Sequence, residues 1–145
     1  MDEARTLVAG HASGSALVLD EPLSFWGGLD PATGVVIDTH HSQRGEVLTG
    51  RVLVMPSGRG SSSSSYVLAE AIRAGTAPAA IILRETDGIV ALGAIVAREL
   101  YGVAVPIMTL GEAAYVALRS GMALQVAASD DSASVASFAD DALGG

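Results

Sequence analysis

Three short apolar runs between residues 52 and 110 constrain the fold of the chain more than any other feature. They occupy residues 52–55, 79–83 and 105–110, and the first two are continuous rather than alternating with polar residues. A strand of this kind has to be covered on both faces, which is typical of parallel sheets. Because helical patterns lie between the runs, this region predicts a β-α-β-α-β unit with parallel strands and right-handed crossovers.

The two predicted helices have recognisable ends. The first, over residues 66–74, places its apolar side chains on one face and stops at Gly75. The second, over residues 89–100, follows Asp87 as a potential N-cap and stops before Gly102. These signals support the same β-α-β-α-β interpretation.

The N-terminal third is rich in turn residues and predicts shorter elements. Residues 7–9 and 16–19 are expected to be two strands, joined as a hairpin through residues 11–14. Residues 35–37 predict another short strand, and residues 38–46 a polar loop.

The C-terminal part predicts one more helix and two strands. The helix is expected over residues 112–119, and the strands over residues 122–127 and 134–138. With neither an internal repeat nor a linker in view, we predict a single domain over residues 1–139 and a disordered tail over residues 140–145.

Composition excludes several classes of function. Half of the 145 residues are hydrophobic and 17% are charged, which predicts a folded globular chain. The net charge of −8, without a basic cluster, argues against nucleic acid or an anionic membrane as partner. The chain has no cysteine, so it can hold neither a disulfide nor an iron–sulfur cluster by itself. The N-terminus lacks the basic and apolar regions of a signal peptide, and we expect a cytoplasmic protein.

Residues 56–65, PSGRGSSSSS, connect the first buried strand to the first predicted helix. A flexible linker would separate two domains, whereas this run lies inside one βαβ unit. The N–H groups at a helix start attract anions, and open α/β folds bind ligands at the carboxyl ends of their strands. The loop lacks the Lys of a nucleotide-binding P-loop. The residues alone leave two interpretations open, which are a plain helix cap and a turn that binds a carboxylate or phosphate.

Four segments in unbroken order resemble the swivel-domain small subunit of the aconitase X family. They are residues 27–38 (GGLDPATGVVID), 51–65 (RVLVMPSGRGSSSSS), 69–83 (AEAIRAGTAPAAIIL) and 93–97 (GAIVA). The resemblance implies an α/β fold, a swivelling β/β/α domain with a parallel βαβαβ core and N-terminal antiparallel strands.

The resemblance also implies a function. In this family a large part binds an iron–sulfur cluster through cysteines, and the small part closes over the substrate. We therefore expect a hydro-lyase small subunit that binds no cofactor itself, has a cysteine-containing large subunit as partner and is inactive without it. The expected substrate is cis-3-hydroxy-L-proline, with mevalonate 5-phosphate as the alternative. An alternative of another class is a non-catalytic anion-binding module.

Ser61 is the catalytic base that the resemblance implies, as the first serine after the glycine turn. Ser62 is the alternative, because a shift by one residue is easy within a serine run. Gly58, Arg59, Gly60 and Ser62 are the implied substrate contacts. Aconitases proper carry an Arg soon after these serines where this chain has Ser, so a substrate-binding Arg is either Arg59 or supplied by the partner. Backbone N–H groups at a helix start can stabilise the alkoxide that a serine base requires.

Trp26, Gly27 and Gly28 are candidates for the substrate pocket or for the interface with the large subunit. For Trp26, packing in the core of the domain is the alternative. Neither glycine carries a side chain, so both are interpreted as turn residues beside the aromatic ring.

His41 lies in a D-x-x-H turn that the family shares, although Ser42 follows it where relatives often have Pro. It is expected either near the active site or in local hydrogen bonds of its loop. His40 and His41 do not predict a metal site, because no third ligand stands at a useful spacing.

Overall fold

The computed structural model describes residues 4–60 and 62–137. The strands in these residues are β1 (Arg5–Val8), β2 (Gly10–Val18), β3 (Leu29–Asp30), β4 (Val35–Val36), β5 (Val52–Met55), β6 (Ala80–Leu83), β7 (Ile107–Thr109), β8 (Ala123–Ala128) and β9 (Ala133–Ser137). The helices are α1 (Phe25–Gly28), α2 (Ser63–Ala74), α3 (Gly88–Tyr101) and α4 (Glu112–Val116). Residue 138 of the last predicted strand and the predicted tail at 140–145 lie outside the described residues.

Seven strands form one sheet in the order β1-β7-β6-β5-β2-β8-β9, and β3 and β4 form a separate hairpin. Strands β2, β5, β6 and β7 are parallel to one another. Strand β1 joins β7 antiparallel, while β8 runs antiparallel to both β2 and β9. The predicted parallel βαβαβ core is confirmed, and β2 extends it by one strand.

Both faces of the parallel strands are buried, each in its own apolar cluster. On one face, Leu53, Ile81 and Ile107 pack against α2 and α3. On the other face, Val54 and Ile82, from the same strands, pack with Leu124 and Val126 of β8, and Tyr115 of α4 joins them. Helices therefore cover one side of the central strands, and β8 with its neighbours covers the other side. This confirms the predicted β/β/α arrangement.

The predicted N-terminal hairpin is wrong. Residues 11–14 do not form a turn but lie in the middle of β2, and β1 pairs with β7 instead of β2. Residues 10–15 of β2 pair antiparallel with β8, and residues 16–18 pair parallel with β5. These partners lie far away in the sequence, so the small and polar residues of this segment give no local sign of them.

The helix ends follow the predicted signals, with one difference. Asp87 caps α3, its Oδ1 accepting hydrogen bonds from the backbone N–H groups of Ile89 and Val90 at 3.0 and 3.1 Å. Gly75 and Gly102 end the two helices in the left-handed conformation. Helix α2, however, begins at Ser63, three residues before the predicted start. Within the two described stretches, no helix is both long and apolar enough to cross a membrane.

Gly93 allows α2 and α3 to pack closely over the sheet. A Cβ atom built at this position would lie 2.7 Å from the backbone oxygen of Ser65 and 3.1 Å from Cβ of Leu68. These atoms belong to the backbone and to a fully buried side chain, so they have little room to move. The absence of a side chain at Gly93 therefore sets the distance between the two helices.

Gly93→Ala is predicted to lower the free energy of unfolding by about 1–3 kcal/mol, since the added methyl overpacks the helix interface. Urea denaturation followed by circular dichroism measures it. Gly88→Ala is the matched control in the same helix, because a Cβ there has no neighbour within 4 Å. Equal midpoints for the two variants would contradict the close-packing role of Gly93.

Candidate functional site

The glycine turn at residues 56–60 follows β5 at the carboxyl edge of the parallel strands. The backbone N–H of Gly58 donates to Oδ2 of Asp87 at 2.9 Å. A Cβ at Gly58 would lie 2.7 Å from that same oxygen and 2.8 Å from Cγ2 of Val90, and Gly60 has a φ of 99°. The turn therefore needs Gly58 for close approach to α3 and Gly60 for its left-handed backbone.

Asp87 connects this turn to the start of α3. One oxygen of its carboxylate binds the first N–H groups of the helix and the other binds Gly58. The protein's own carboxylate thus occupies the positive end of α3. The sequence predicted the cap but not the contact with the glycine turn.

The start of α2 differs from that of α3. Ser62 is the N-cap residue, yet its side chain makes no capping hydrogen bond, and its carbonyl accepts from Oγ of Ser65 at 2.7 Å. Ser62 therefore does not cap the helix in the way that Asp87 does. Ser61 lies outside the described residues.

Among serines 62–65, which the structure describes, Ser64 is the buried one. It is 4% exposed, its Oγ accepts the backbone N–H of Trp26 at 3.1 Å, and it lies 3.2 Å from Oγ of Ser24. These contacts attach the segment before β3 to the first turn of α2. The sequence analysis missed this residue, although its spacing of four from Leu68 places it on the buried helix face.

Trp26, Gly27 and Gly28 form the kinked turn α1, in which Trp26 has a ψ of 114° and Gly27 a φ of 78°. Gly28 is buried, whereas Trp26 is 60% exposed. The alternative prediction for Trp26, that it packs in the core of the domain, is therefore wrong. Together with Tyr66 and Ile37, Trp26 lines an open groove of about 510 Å³. This groove, named here the Trp26 groove, lies beside the start of α2.

Arg59 projects from the glycine turn towards a residue that the sequence analysis did not identify. Its Nη2 lies 3.5 Å from Oε1 of Glu21, while Oε2 of Glu21 accepts from the backbone N–H and the hydroxyl of Ser42 at 3.4 and 3.2 Å. These donors hold the pKa of the Glu21 carboxyl below its ordinary value. The backbone N–H of Ser42 has the largest effect, and the hydroxyl of Ser42 and the guanidinium of Arg59 add to it.

His41 is buried, and both of its ring nitrogens have partners. Nδ1 accepts the backbone N–H of Gln43 at 3.0 Å, so in this arrangement the ring is neutral and its proton is on Nε2. Nε2 then donates to the backbone oxygen of Glu21 at 3.3 Å. Of the two roles expected for His41, the structure shows the local hydrogen bonds of its loop.

A small cavity of about 50 Å³ lies beneath the glycine turn, lined in part by Gly58, Arg59, Gly60, Ser64 and Asp87. Sites that enclose small organic ligands typically measure 300 Å³ or more, roughly six times as much. As far as the described residues show, this cavity is too small to enclose such a ligand.

Metal binding finds no support among the residues that the structure describes. Among residues 4–60 and 62–137, no three His, Asp or Glu side chains are grouped in a way that could hold a metal ion. The full sequence also lacks the cysteines that iron–sulfur clusters require. The cluster that the resemblance implies therefore does not fit the residues of this chain.

Comparison with known proteins agrees with the resemblance seen in the sequence. The sequence profile of the aconitase X swivel domain matches residues 2–135. The chain is 59% identical over 108 residues to cis-3-hydroxy-L-proline dehydratase of Pseudomonas aeruginosa, covering 74% of this chain but only 19% of that protein. It is 40% identical over 127 residues to the phosphomevalonate dehydratase small subunit of Methanosarcina acetivorans, covering 87% and 84% of the two chains.

A solved structure matches the fold as well. The crystal structure of Thermococcus kodakaraensis aconitase X in its holo-form superposes with a TM-score of 0.83 at 36% identity, covering 95% of this chain and 98% of that one. The sheet order, the β/β/α layers and the glycine turn before α2 thus occur in a chain whose sequence and structure both match one family. The chain belongs to the aconitase X swivel domain family.

Proposed function

We propose that this chain is the small, swivelling part of an aconitase X-type hydro-lyase that dehydrates a small hydroxy acid. The observation that carries the proposal is the family match over residues 2–135, which includes the complete glycine and serine turn. The position of this turn, at the carboxyl edge of the parallel strands and before α2, is where α/β folds bind anionic ligands.

The proposed substrate is cis-3-hydroxy-L-proline. The identity of 59% to a dehydratase of that name supports this choice over mevalonate 5-phosphate, for which the identity to a named small subunit is 40%. Both molecules carry an anionic group and a hydroxyl, so either one suits a turn that presents N–H groups and an arginine.

In the proposed reaction Ser61 is the base. Its Oγ, as an alkoxide, takes the proton from the carbon beside the carboxylate, and the electron pair of that C–H bond forms the C=C bond. The hydroxyl leaves from the neighbouring carbon, on the side of the site that the partner supplies. N–H groups at the start of α2 favour the alkoxide, and Arg59 binds the substrate carboxylate.

The proposed partner is a large, cysteine-containing aconitase X part that holds an iron–sulfur cluster. Two findings on this chain support it. The cavity at the glycine turn is about 50 Å³, too small to enclose a substrate. The chain also spans 19% of the length of the Pseudomonas aeruginosa dehydratase, so most of that protein consists of other residues.

The Trp26 groove is the surface proposed to contact this partner. It exposes Trp26, Ile37 and Tyr66, which are 60%, 46% and 75% exposed. Exposed aromatic side chains are typical anchors of interfaces. The hydrogen bond from Trp26 to Ser64 joins the groove to the first turn of α2, so a partner seated there also closes over the serines.

The first experiment is anaerobic copurification of this chain from its own cells. We expect a brown, cysteine-containing partner, and an assembly that dehydrates cis-3-hydroxy-L-proline faster than mevalonate 5-phosphate. The opposite order would favour the phosphomevalonate alternative. A colourless chain without a partner would favour the non-catalytic anion-binding module.

Ser61→Ala is predicted to lower kcat of the assembled enzyme by about 10²- to 10⁴-fold, because it removes the base. Steady-state kinetics measure the loss, and size-exclusion chromatography tests that assembly persists. Ser65→Ala is the control within the same run, since its hydroxyl donates to a local carbonyl, that of Ser62. Turnover retained in Ser61→Ala but lost in Ser62→Ala would move the base to Ser62.

Replacing both Trp26 and Tyr66 by Ser is predicted to weaken binding to the large part by roughly 30-fold or more, as expected for the loss of interface anchors. Biolayer interferometry measures the affinity. Leu100→Ser is the control. Leu100 is an exposed apolar residue, 67% exposed, at the C-terminal end of α3 and is not one of the residues that line the Trp26 groove. Equal affinities of the double variant and the control would place the interface elsewhere.

A further inference from the structure

A series of hydrogen bonds leads from the buried His41 to the glycine turn. His41 holds the backbone oxygen of Glu21 through Nε2, and Ser42 binds Oε2 of the Glu21 side chain. The other oxygen of that side chain, Oε1, faces Nη2 of Arg59. Glu21 thus stands between the loop at residues 38–43 and the turn that carries Arg59.

The loop that holds Glu21 is itself fixed. Oδ1 of Asp38 accepts the backbone N–H of His40 at 2.9 Å, and the backbone oxygen of Asp38 accepts that of His41 at 3.1 Å. Oε1 of Gln43 accepts the backbone N–H of Asp20, directly before Glu21, at 3.1 Å. Glu21 is therefore held through its own backbone, its side chain and its neighbour.

Arg59, in contrast, is a long side chain on an exposed turn. Its side chain is 52% exposed, and its contact with Glu21 involves one of its guanidinium nitrogens. A guanidinium has five N–H donors, so a single contact of this kind leaves donors for a second carboxylate. An arginine with free rotamers loses more entropy on binding a ligand than one that is already held.

We infer that Glu21 is a positioning residue that holds Arg59 for the carboxylate of the substrate, and that His41 and Ser42 hold Glu21 in place. The inference rests on the proposed function, in which Arg59 binds that carboxylate. It gives His41 a role through the loop, without contact between its ring and the substrate.

The ion pair between Arg51 and Glu46 provides the comparison. It is shorter, at 3.1 Å, but it lies away from the glycine turn and Glu46 is 47% exposed. A general effect of losing a surface carboxylate would appear equally at Glu46. An effect through Arg59 would appear only at Glu21.

The test measures steady-state kinetics of the assembled enzyme with Glu21→Gln, Arg59→Ala, both together, and Glu46→Gln. We expect Glu21→Gln to raise KM about 2- to 5-fold, in line with an exposed ion pair, with kcat little changed. The rise should vanish in the Arg59→Ala background, and Glu46→Gln should leave KM unchanged. An equal rise with and without Arg59, or a lower KM, would overturn the inference.

A second measurement on the chain separates this inference from the proposed function. Nitrogen-15 NMR is expected to show slowed rotation of the Arg59 guanidinium, which Glu21→Gln abolishes and Glu46→Gln preserves. Free rotation in the unmodified chain, with dehydration by the assembly intact, would overturn the positioning role alone. Slowed rotation in a chain whose assembly dehydrates neither substrate would overturn the proposed function and, with it, the role at a substrate.

Discussion

Burial of β5, β6 and β7 on both faces is the constraint on which the rest of the structure depends. Alternate residues of these strands enter two separate apolar clusters, and each cluster needs a covering layer. Helices α2 and α3 supply one layer and β8 with its neighbours the other. Because both faces are covered, the carboxyl edge of the strands is where loops can present polar groups to a ligand.

At that edge the two helix starts are used differently. Asp87 occupies the start of α3 with a carboxylate of the protein itself and draws Gly58 against it. The side chain of Ser62 does not cap α2. This asymmetry supports the proposed anion site at the start of α2, beside Arg59. The polar groups described around the turn form hydrogen bonds within the chain, which hold the turn in place.

Local signals were sufficient for the central part of the fold. The continuous apolar runs, Asp87 before α3 and the glycines after both helices each act over a few residues, so their meaning is readable in the sequence. The prediction of an N-terminal hairpin was wrong because β2 pairs with β5 and β8. Turn signals in the sequence do not encode pairing between segments that lie so far apart in the chain. In the same way Glu21 was overlooked, since only folding brings it to Arg59, 38 residues later.

The sequence by itself determined the α/β class, the parallel core, the position of the glycine and serine turn and the family. These depend on local periodicity, on caps and on a motif order that spans most of the chain. Only the tertiary structure decided that Ser64 is buried, that Trp26 is exposed, and that Glu21 connects His41 to Arg59. The physical reason is that side-chain burial and ion pairing depend on neighbours in space, which the chain supplies from distant segments.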